Sequence, residues 1–267
     1  MKDSRIHQTA LVSGEARLGQ NTSVGAYAII EHGAEIGQGC HIHSHAVIKS
    51  HAVIRDQVEV GHFSVIGGDP QYLSFNRSVP SKVVIGECTR IGEGVTIHRS
   101  IEKDGETYVG EHCFLMGACH VAHDCVLEDQ AVLANGVLLG GHVLVGSESF
   151  LGGGAAVHQF VRIGRGAMVG GLAEISLDVA PQVLVSGRNH ISGLNLVGLK
   201  RRGVPQVDLS ELKKYLHLLF EQNNLPKAAM EILDGRDCPS SEITRDFLSF
   251  FTPSKRGFAR YTKKTVT

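Results

Sequence analysis

Residues 109–175 read VGEHCFLMGACHVAHDCVLEDQAVLANGVLLGGHVLVGSESFLGGGAAVHQFVRIGRGAMVGGLAEI. Every sixth residue from Val109 to Ile175 is Val, Leu or Ile, twelve positions without a miss. If a third of all positions were aliphatic, such a run would arise about once in half a million trials at a fixed register. The same period runs backwards from here, shifted by one place before residue 67. It holds Ile91 and Ile97, then Ile85, and every sixth position from Ile6 to Ile66. A period of six fits neither an α-helix nor a hairpin sheet. It fits a solenoid in which each hexad forms one flat face and is followed by a corner.

The rest of the hexad agrees. Four residues after each aliphatic comes a small side chain, as at Ala10, Ala16, Thr22, Cys40, Cys113, Cys119, Cys125 and Ala131. This places four of the six cysteines in a narrow core as reduced filler. Glycine often follows the aliphatic, as at Gly19, Gly37, Gly146 and Gly164, which predicts corners with unusual backbone angles. Two stretches leave the period, 67–82 and 102–108, and are expected as external loops. From about residue 191 the text turns helical. Leu209, Leu212, Leu216, Leu219 and Phe220 make one apolar stripe, with Asp208 and Glu211 as a capping pair. Gly235 reads as a helix stop, and Ile243, Phe247, Leu248 and Phe251 as a last helix. The expected plan is a β-solenoid over 1–186 and an α-helical domain over 187–267.

Composition narrows the class. The chain has 267 residues, 42% hydrophobic and 20% charged, with a net charge of -1. That sustains a packed core and argues against a general nucleic-acid binder. No 18-residue apolar stretch occurs, so no membrane span is expected. MKDSRIHQTA at the N-terminus has no apolar run, so no signal peptide is expected, and the cysteines suit a reducing cytoplasm. The end of the chain, 254–267, holds five basic residues and no acid, a tail that could steer an acidic partner.

Fifteen histidines are present. His7, His41, His43, His45 and His51 lie in early coils and read as surface or subunit-contact residues. The set at 120–159 is different. With three hexads per coil, residues eighteen apart stack, so His123, Gly141 and Gln159 form one column flanked by His142 and His158. At about 4.8 Å per coil, the column spans roughly 10 Å of one edge. A neutral histidine there can accept a proton, and the adjacent Asp124 can fix its tautomer.

The period resembles that of the left-handed parallel β-helix family, and the left hand is taken from that resemblance. The stretches HVAHDC (120–125), LLGGHV (138–143), AVHQF (156–160), MVGG (168–171) and GLKRRG (198–203) are similar, in order, to those of the UDP-N-acetylglucosamine O-acyltransferase family, which opens lipid A synthesis. The resemblance implies a cytoplasmic homotrimer from a Gram-negative-type bacterium, with sites between subunits. It implies that His123 is the general base on the sugar 3-hydroxyl. Asp124 would support the base, and the Gly141 N–H would hold the oxyanion formed from a 3-hydroxyacyl thioester on acyl carrier protein. Gln71, His120, His142, His158 and Gln159 would contact the substrates. Gly171 would limit acyl length, and Asn195, Arg201 and Arg202 would meet the nucleotide. The resemblance calls for no cofactor and no metal. Tyr72 and Ser74 stand where the family commonly has Asp and Lys, and Val197 stands where it often has an acid. Alternatives of the same fold are transfer to a 3-amino sugar nucleotide, transfer from acetyl-CoA, and a γ-class carbonic anhydrase-like zinc enzyme.

Overall fold

A computed structural model describes residues 5–236 and 238–261. Strands two to five residues long stack into three sheets of twelve, nine and eight strands. As far as Ile175 consecutive strands fall in different sheets, and the chain winds as a left-handed parallel β-helix with a triangular section. Register follows the eighteen-residue coil: His120 pairs with Leu138, Leu138 with Ala156, and Ala156 with Glu174. The aliphatic of each hexad points inward. Leu115, Val121, Leu127, Leu133 and Val145 have no exposed surface. Cys40, Cys113, Cys119 and Cys125 are buried beside them, and their Sγ atoms face backbone carbonyls at the corners.

The corners work differently from the sequence expectation. Apart from Gly67, where the first loop begins, the glycines just after the aliphatics, such as Gly146 and Gly164, are not among the residues with positive φ. They are needed because coils touch there: a Cβ on Gly146 would lie 2.6 Å from the Arg165 nitrogen. The left-handed conformation falls two residues later, and mostly on residues other than glycine, including Tyr27, His45, Asp124, His142 and Phe160. A side chain in that conformation costs energy that tight coil stacking supplies.

The first departure from the period lies between the strands Val65–Gly68 and Lys82–Ile85. One buried cation holds it. Arg99, 1% exposed, donates to Asp69 at 2.9 Å, to the Val79 carbonyl at 2.6 Å and to the Arg77 carbonyl at 2.8 Å, under the Phe75 ring. The second departure separates Thr96–His98 from Glu106–Val109, and there the coil lengthens: Thr96 pairs with His120, twenty-four residues on.

The helical part is narrower than expected. His190–Leu194 is a strand antiparallel to Val183–Ser186, and the chain returns at Arg260–Tyr261 to pair with it. Between them lie α1 (Leu196–Arg201), α2 (Gln206–Phe220), α3 (Leu225–Asp234) and α4 (Glu242–Ser249). The leucine stripe of α2 is buried. Asp208 and Glu211 do not cap α2, which follows Pro205 with no side-chain cap. Glu211 instead accepts from the Ser240 and Ser241 amides at 3.0 and 2.9 Å, tying α2 to the start of α4. Gly235 does end α3, in an extended rather than left-handed conformation.

Candidate active site

The corner after the nine-stranded sheet carries the chemistry. Ala122–His123, Gly140–Gly141 and His158–Gln159 occupy it on successive coils. They line a cavity of about 650 Å³ with Gln71, His120, Leu138 and Glu174. Gln71 arrives from the loop that Arg99 anchors. The expected column is therefore formed, and its spacing is tight: a Cβ on Gly141 would lie 2.5 Å from His123 Cε1 and 2.7 Å from its Nε2.

His123 Nδ1 lies 2.7 Å from Asp124 Oδ2. The contact that adjacency alone did not establish is thus made. An ionised carboxylate only accepts, so Nδ1 carries the proton and Nε2 is left with a lone pair beside Gly141. Asp124 is itself held. It accepts from the Ser100 hydroxyl and from the Ile101 amide, and its own amide donates to Thr107 at 2.8 Å. Burial alone would raise the Asp124 pKa; the hydrogen bonds from His123, Ser100 and Ile101 outweigh it and hold the carboxyl below its ordinary value. Sequence reasoning did not find Ser100 and Thr107. The long coil hides them, because Ser100 sits twenty-four residues before Asp124.

Gly141 offers one open donor. Its carbonyl accepts from the Phe160 amide at 3.0 Å, while among the described residues nothing accepts from its N–H. Base nitrogen and free amide thus share one corner, the geometry that addition to a carbonyl requires.

His120 donates to or accepts from Thr96 at 2.7 Å, and burial, with His123 nearby, lowers its pKa. His98, not singled out from sequence, packs edge-on against it at 4.8 Å. His98 is buried, its Nδ1 has no partner, and burial pushes its pKa down to about 4. These two rings form a neutral wall behind the base. His142 does not line the cavity. Its ring stands edge-on to His123 at 5.1 Å and flat against Phe160 at 4.6 Å.

Donor atoms of His123, Asp124 and His142 lie within 4.8 Å of one another. The Asp124 carboxylate already accepts from His123, Ser100 and Ile101, so hydrogen bonding accounts for the cluster. The three-histidine set that the anhydrase-like alternative needs is not this group.

Comparison with known proteins matches this arrangement to one family. The family model described as "Udp N-acetylglucosamine O-acyltransferase; Domain 2" matches residues 178–259, and the bacterial transferase hexapeptide model matches 15–50. The acyl-[acyl-carrier-protein]--UDP-N-acetylglucosamine O-acyltransferase of Campylobacter lari is 38% identical over 263 residues, covering 98% of each chain. The chain belongs to the UDP-N-acetylglucosamine O-acyltransferase family. The solved structure of the UDP-N-acetylglucosamine acyltransferase from Campylobacter jejuni superimposes with a TM-score of 0.90 at 35% identity, over 97% of this chain and all of that one. That of Francisella novicida does so with 0.89 at 28% identity, over 97% of this chain and 95% of that one.

Within this family frame, four expected residues lie away from the His123 cavity. Asn195, Arg201 and Arg202 line a second cavity of about 690 Å³ on the outer face of the twelve-stranded sheet, with Phe150, Met168, Leu184 and Val197. Asn195 caps α1 by accepting from Gly198 at 3.0 Å and donates to the Gly166 carbonyl at 3.0 Å, so both ends of its amide hold the fold. Arg202 pairs with Gln182 and faces Glu148 at 3.6 Å, whereas Arg201 is exposed. Gly171 stacks on Gly153 at the corner after the twelve-stranded sheet, an edge of the prism that His123 does not share. Gly171 lies forty-eight residues, or eight hexads, beyond His123, and eight is not a multiple of three, so the two fall on different corners.

Within the basic end, residues 255–259 are held against the body of the protein. Lys255 sits over the Phe160 ring at 4.7 Å, Arg256 donates to the Ser176 carbonyl at 3.1 Å, and the Ala259 amide donates to Asp178. Lys263 and Lys264 lie outside the described residues.

The dyad makes a graded prediction. Asp124→Asn keeps the shape but lets an amide face Nδ1, so part of the His123 population takes the wrong tautomer. A kcat loss of about tenfold or more is expected, smaller than that of removing the imidazole. Steady-state kinetics at saturating substrates measures it.

Proposed function

We propose that this chain transfers a 3-hydroxyacyl group from acyl carrier protein to the 3-hydroxyl of UDP-N-acetylglucosamine, the first step of lipid A synthesis. The observation that carries the reading is the free Nε2 of a carboxylate-held histidine beside the free Gly141 amide, at the mouth of a cavity wide enough for a sugar. His123 Nε2 removes the hydroxyl proton as the sugar oxygen adds to the thioester carbonyl. The carbonyl π electrons move to oxygen, and the Gly141 N–H stabilises that charge. Collapse breaks the carbon–sulfur bond, and the imidazolium returns its proton to the leaving thiolate. Asp124 keeps the imidazolium oriented and compensates its charge. Gln71, His158 and Gln159 present polar groups along the cavity for the sugar. His120 and Leu138 form its inner wall.

The assembly in this reading is a homotrimer. The His123 cavity and the Asn195–Arg201–Arg202 cavity lie on different faces of one prism. A nucleotide sugar meets both sets only where two copies abut, and a copy that brings its own Gly171 corner to a neighbour's His123 cavity completes the acyl channel. The guanidinium of Arg201, exposed at the second cavity, suits a diphosphate. The compartment in this reading is the cytoplasm; six free cysteines, four of them buried, suit a reducing one. No helix among the described residues is long and apolar enough to cross a membrane.

One assay tests the reading: purified protein with UDP-N-acetylglucosamine or its 3-amino analogue, against a ladder of 3-hydroxyacyl carrier proteins. Turnover with the hydroxyl acceptor is expected; turnover with the amino analogue alone, or with acetyl-CoA alone, would overturn it. Sedimentation gives the oligomeric state. The same ladder addresses Gly171. Gly171→Met adds a side chain at an open corner, and its preferred donor should become shorter by several carbons. An unchanged profile of relative kcat/KM would reject the length limit while leaving the base assignment intact.

A further inference from the structure

Four groups stand in file across the back of the active corner. Lys255 Nζ lies over one face of Phe160, 4.7 Å from its centroid. The ring of His142 is parallel to Phe160, at 4.6 Å and 7°. His142 is edge-on to His123, at 5.1 Å and 89°. The last contact matters because His142 Nε2 is also 3.9 Å from Asp124 Oδ2, the oxygen that His123 uses. Two imidazoles therefore compete for one carboxylate oxygen. A file of rings decides how close the second one comes.

We propose that Phe160 and Lys255 are positioning residues: the file they form with His142 holds that imidazole edge-on to His123 and reserves the Asp124 carboxylate for the base. Phe160 fixes the ring plane by stacking. Lys255 occupies the electron-rich face of Phe160 that a cationic His142 would otherwise polarise from the other side. It also adds a positive charge that makes a second cation at His142 unfavourable. The charged and titratable groups facing His142 are Asp124, His123, Glu102 and Lys255. Burial lowers the His142 pKa first; Lys255 and His123 act in the same direction, and Asp124 and Glu102 oppose it. Among the described residues no carboxylate pairs with the Lys255 ammonium, so its charge is available to the ring beneath it. The segment that carries it is fixed by the neighbouring Arg256–Ser176 contact and by the pairing of Arg260 with His190. Lys255 thereby reaches the catalytic corner.

The inference rests on the acyl-transfer reading for its kinetic arm only. Lys255→Met keeps the aliphatic stem and removes the charge. By NMR, without substrate, the titration midpoint of His142 in that variant should rise by roughly 0.3 to 0.5 unit, the effect of one charge at this range in a water-like dielectric. The acid limb of kcat/KM should rise with it, and Lys255→Arg should restore both. Phe160→Leu should lower kcat by roughly tenfold, with the acceptor KM unchanged. A His142 midpoint in Lys255→Met equal to that of the wild type would overturn the proposal, whether or not the substrates are those assigned. So would an acid limb that stays in place while the protein turns over. Lys255 is exposed, so its variants are expected to fold even if Phe160→Leu does not.

Discussion

His123→Ala is expected to turn over at least ~10²-fold more slowly than the wild type while remaining folded. The loss corresponds to about 2.7 kcal/mol or more of transition-state stabilisation. It arises because no other group replaces the base. Asp124 is an acceptor held by Ser100 and Ile101, so it cannot swing to the cavity without abandoning two hydrogen bonds. His142 lies behind the corner against Phe160. His120 has its Nδ1 engaged with Thr96. The fold should not suffer, because His123 packs at a partly open corner and contributes nothing to the aliphatic core. Rates at saturating substrate, with thermal melting as control, measure both halves. Near-wild-type turnover in the folded variant would remove His123 from the role of base.

Gly141→Ala should lose a comparable amount, ~10²-fold or more in kcat, by a different route. The added methyl group would occupy a position 2.5 Å from His123 Cε1 and 2.7 Å from Nε2. The imidazole must move, and a shift of about 1 Å in a catalytic group is enough to cost two orders of magnitude. All three nearest atoms to that methyl belong to the His123 ring, so the coil backbone does not have to yield. Gly140→Ala is the contrasting control: its methyl would lie 2.8 Å from the Gln159 backbone nitrogen, so coil stacking itself must give. The expected pattern is lost activity with retained melting temperature for Gly141→Ala, and a lowered melting temperature for Gly140→Ala. Activity retained in Gly141→Ala would show that His123 does not act from the position described.

Legibility differed by level. The solenoid was readable because its period is written in the chain: a six-residue aliphatic register fixes which side chains enter the core, and a coil of three hexads fixes which residues stack. The column of His123, Gly141 and Gln159 followed from that count. It also correctly assigned four cysteines to the interior. The count works only where the period is unbroken. The lengthened coil between His98 and Glu106 shifts the pairing to twenty-four residues, and so Ser100, Thr107 and His98 were missed. Spacing along the chain specifies no corner for Gly171, which follows the strand Met168–Val169 of the twelve-stranded sheet.

The repeat, the coil and the stacked histidine column are written in the chain, since all three depend on local spacing and the exclusion of water from aliphatic side chains. The tertiary structure alone decided which nitrogen of His123 is free, because that depends on where Asp124 turns once Ser100, Ile101 and Thr107 surround it. It also decided that His142 stacks on Phe160, that Arg99 ties down the loop bearing Gln71, and that Lys255 returns to the active corner. These contacts join residues up to about a hundred positions apart through side-chain geometry, and no periodicity records them.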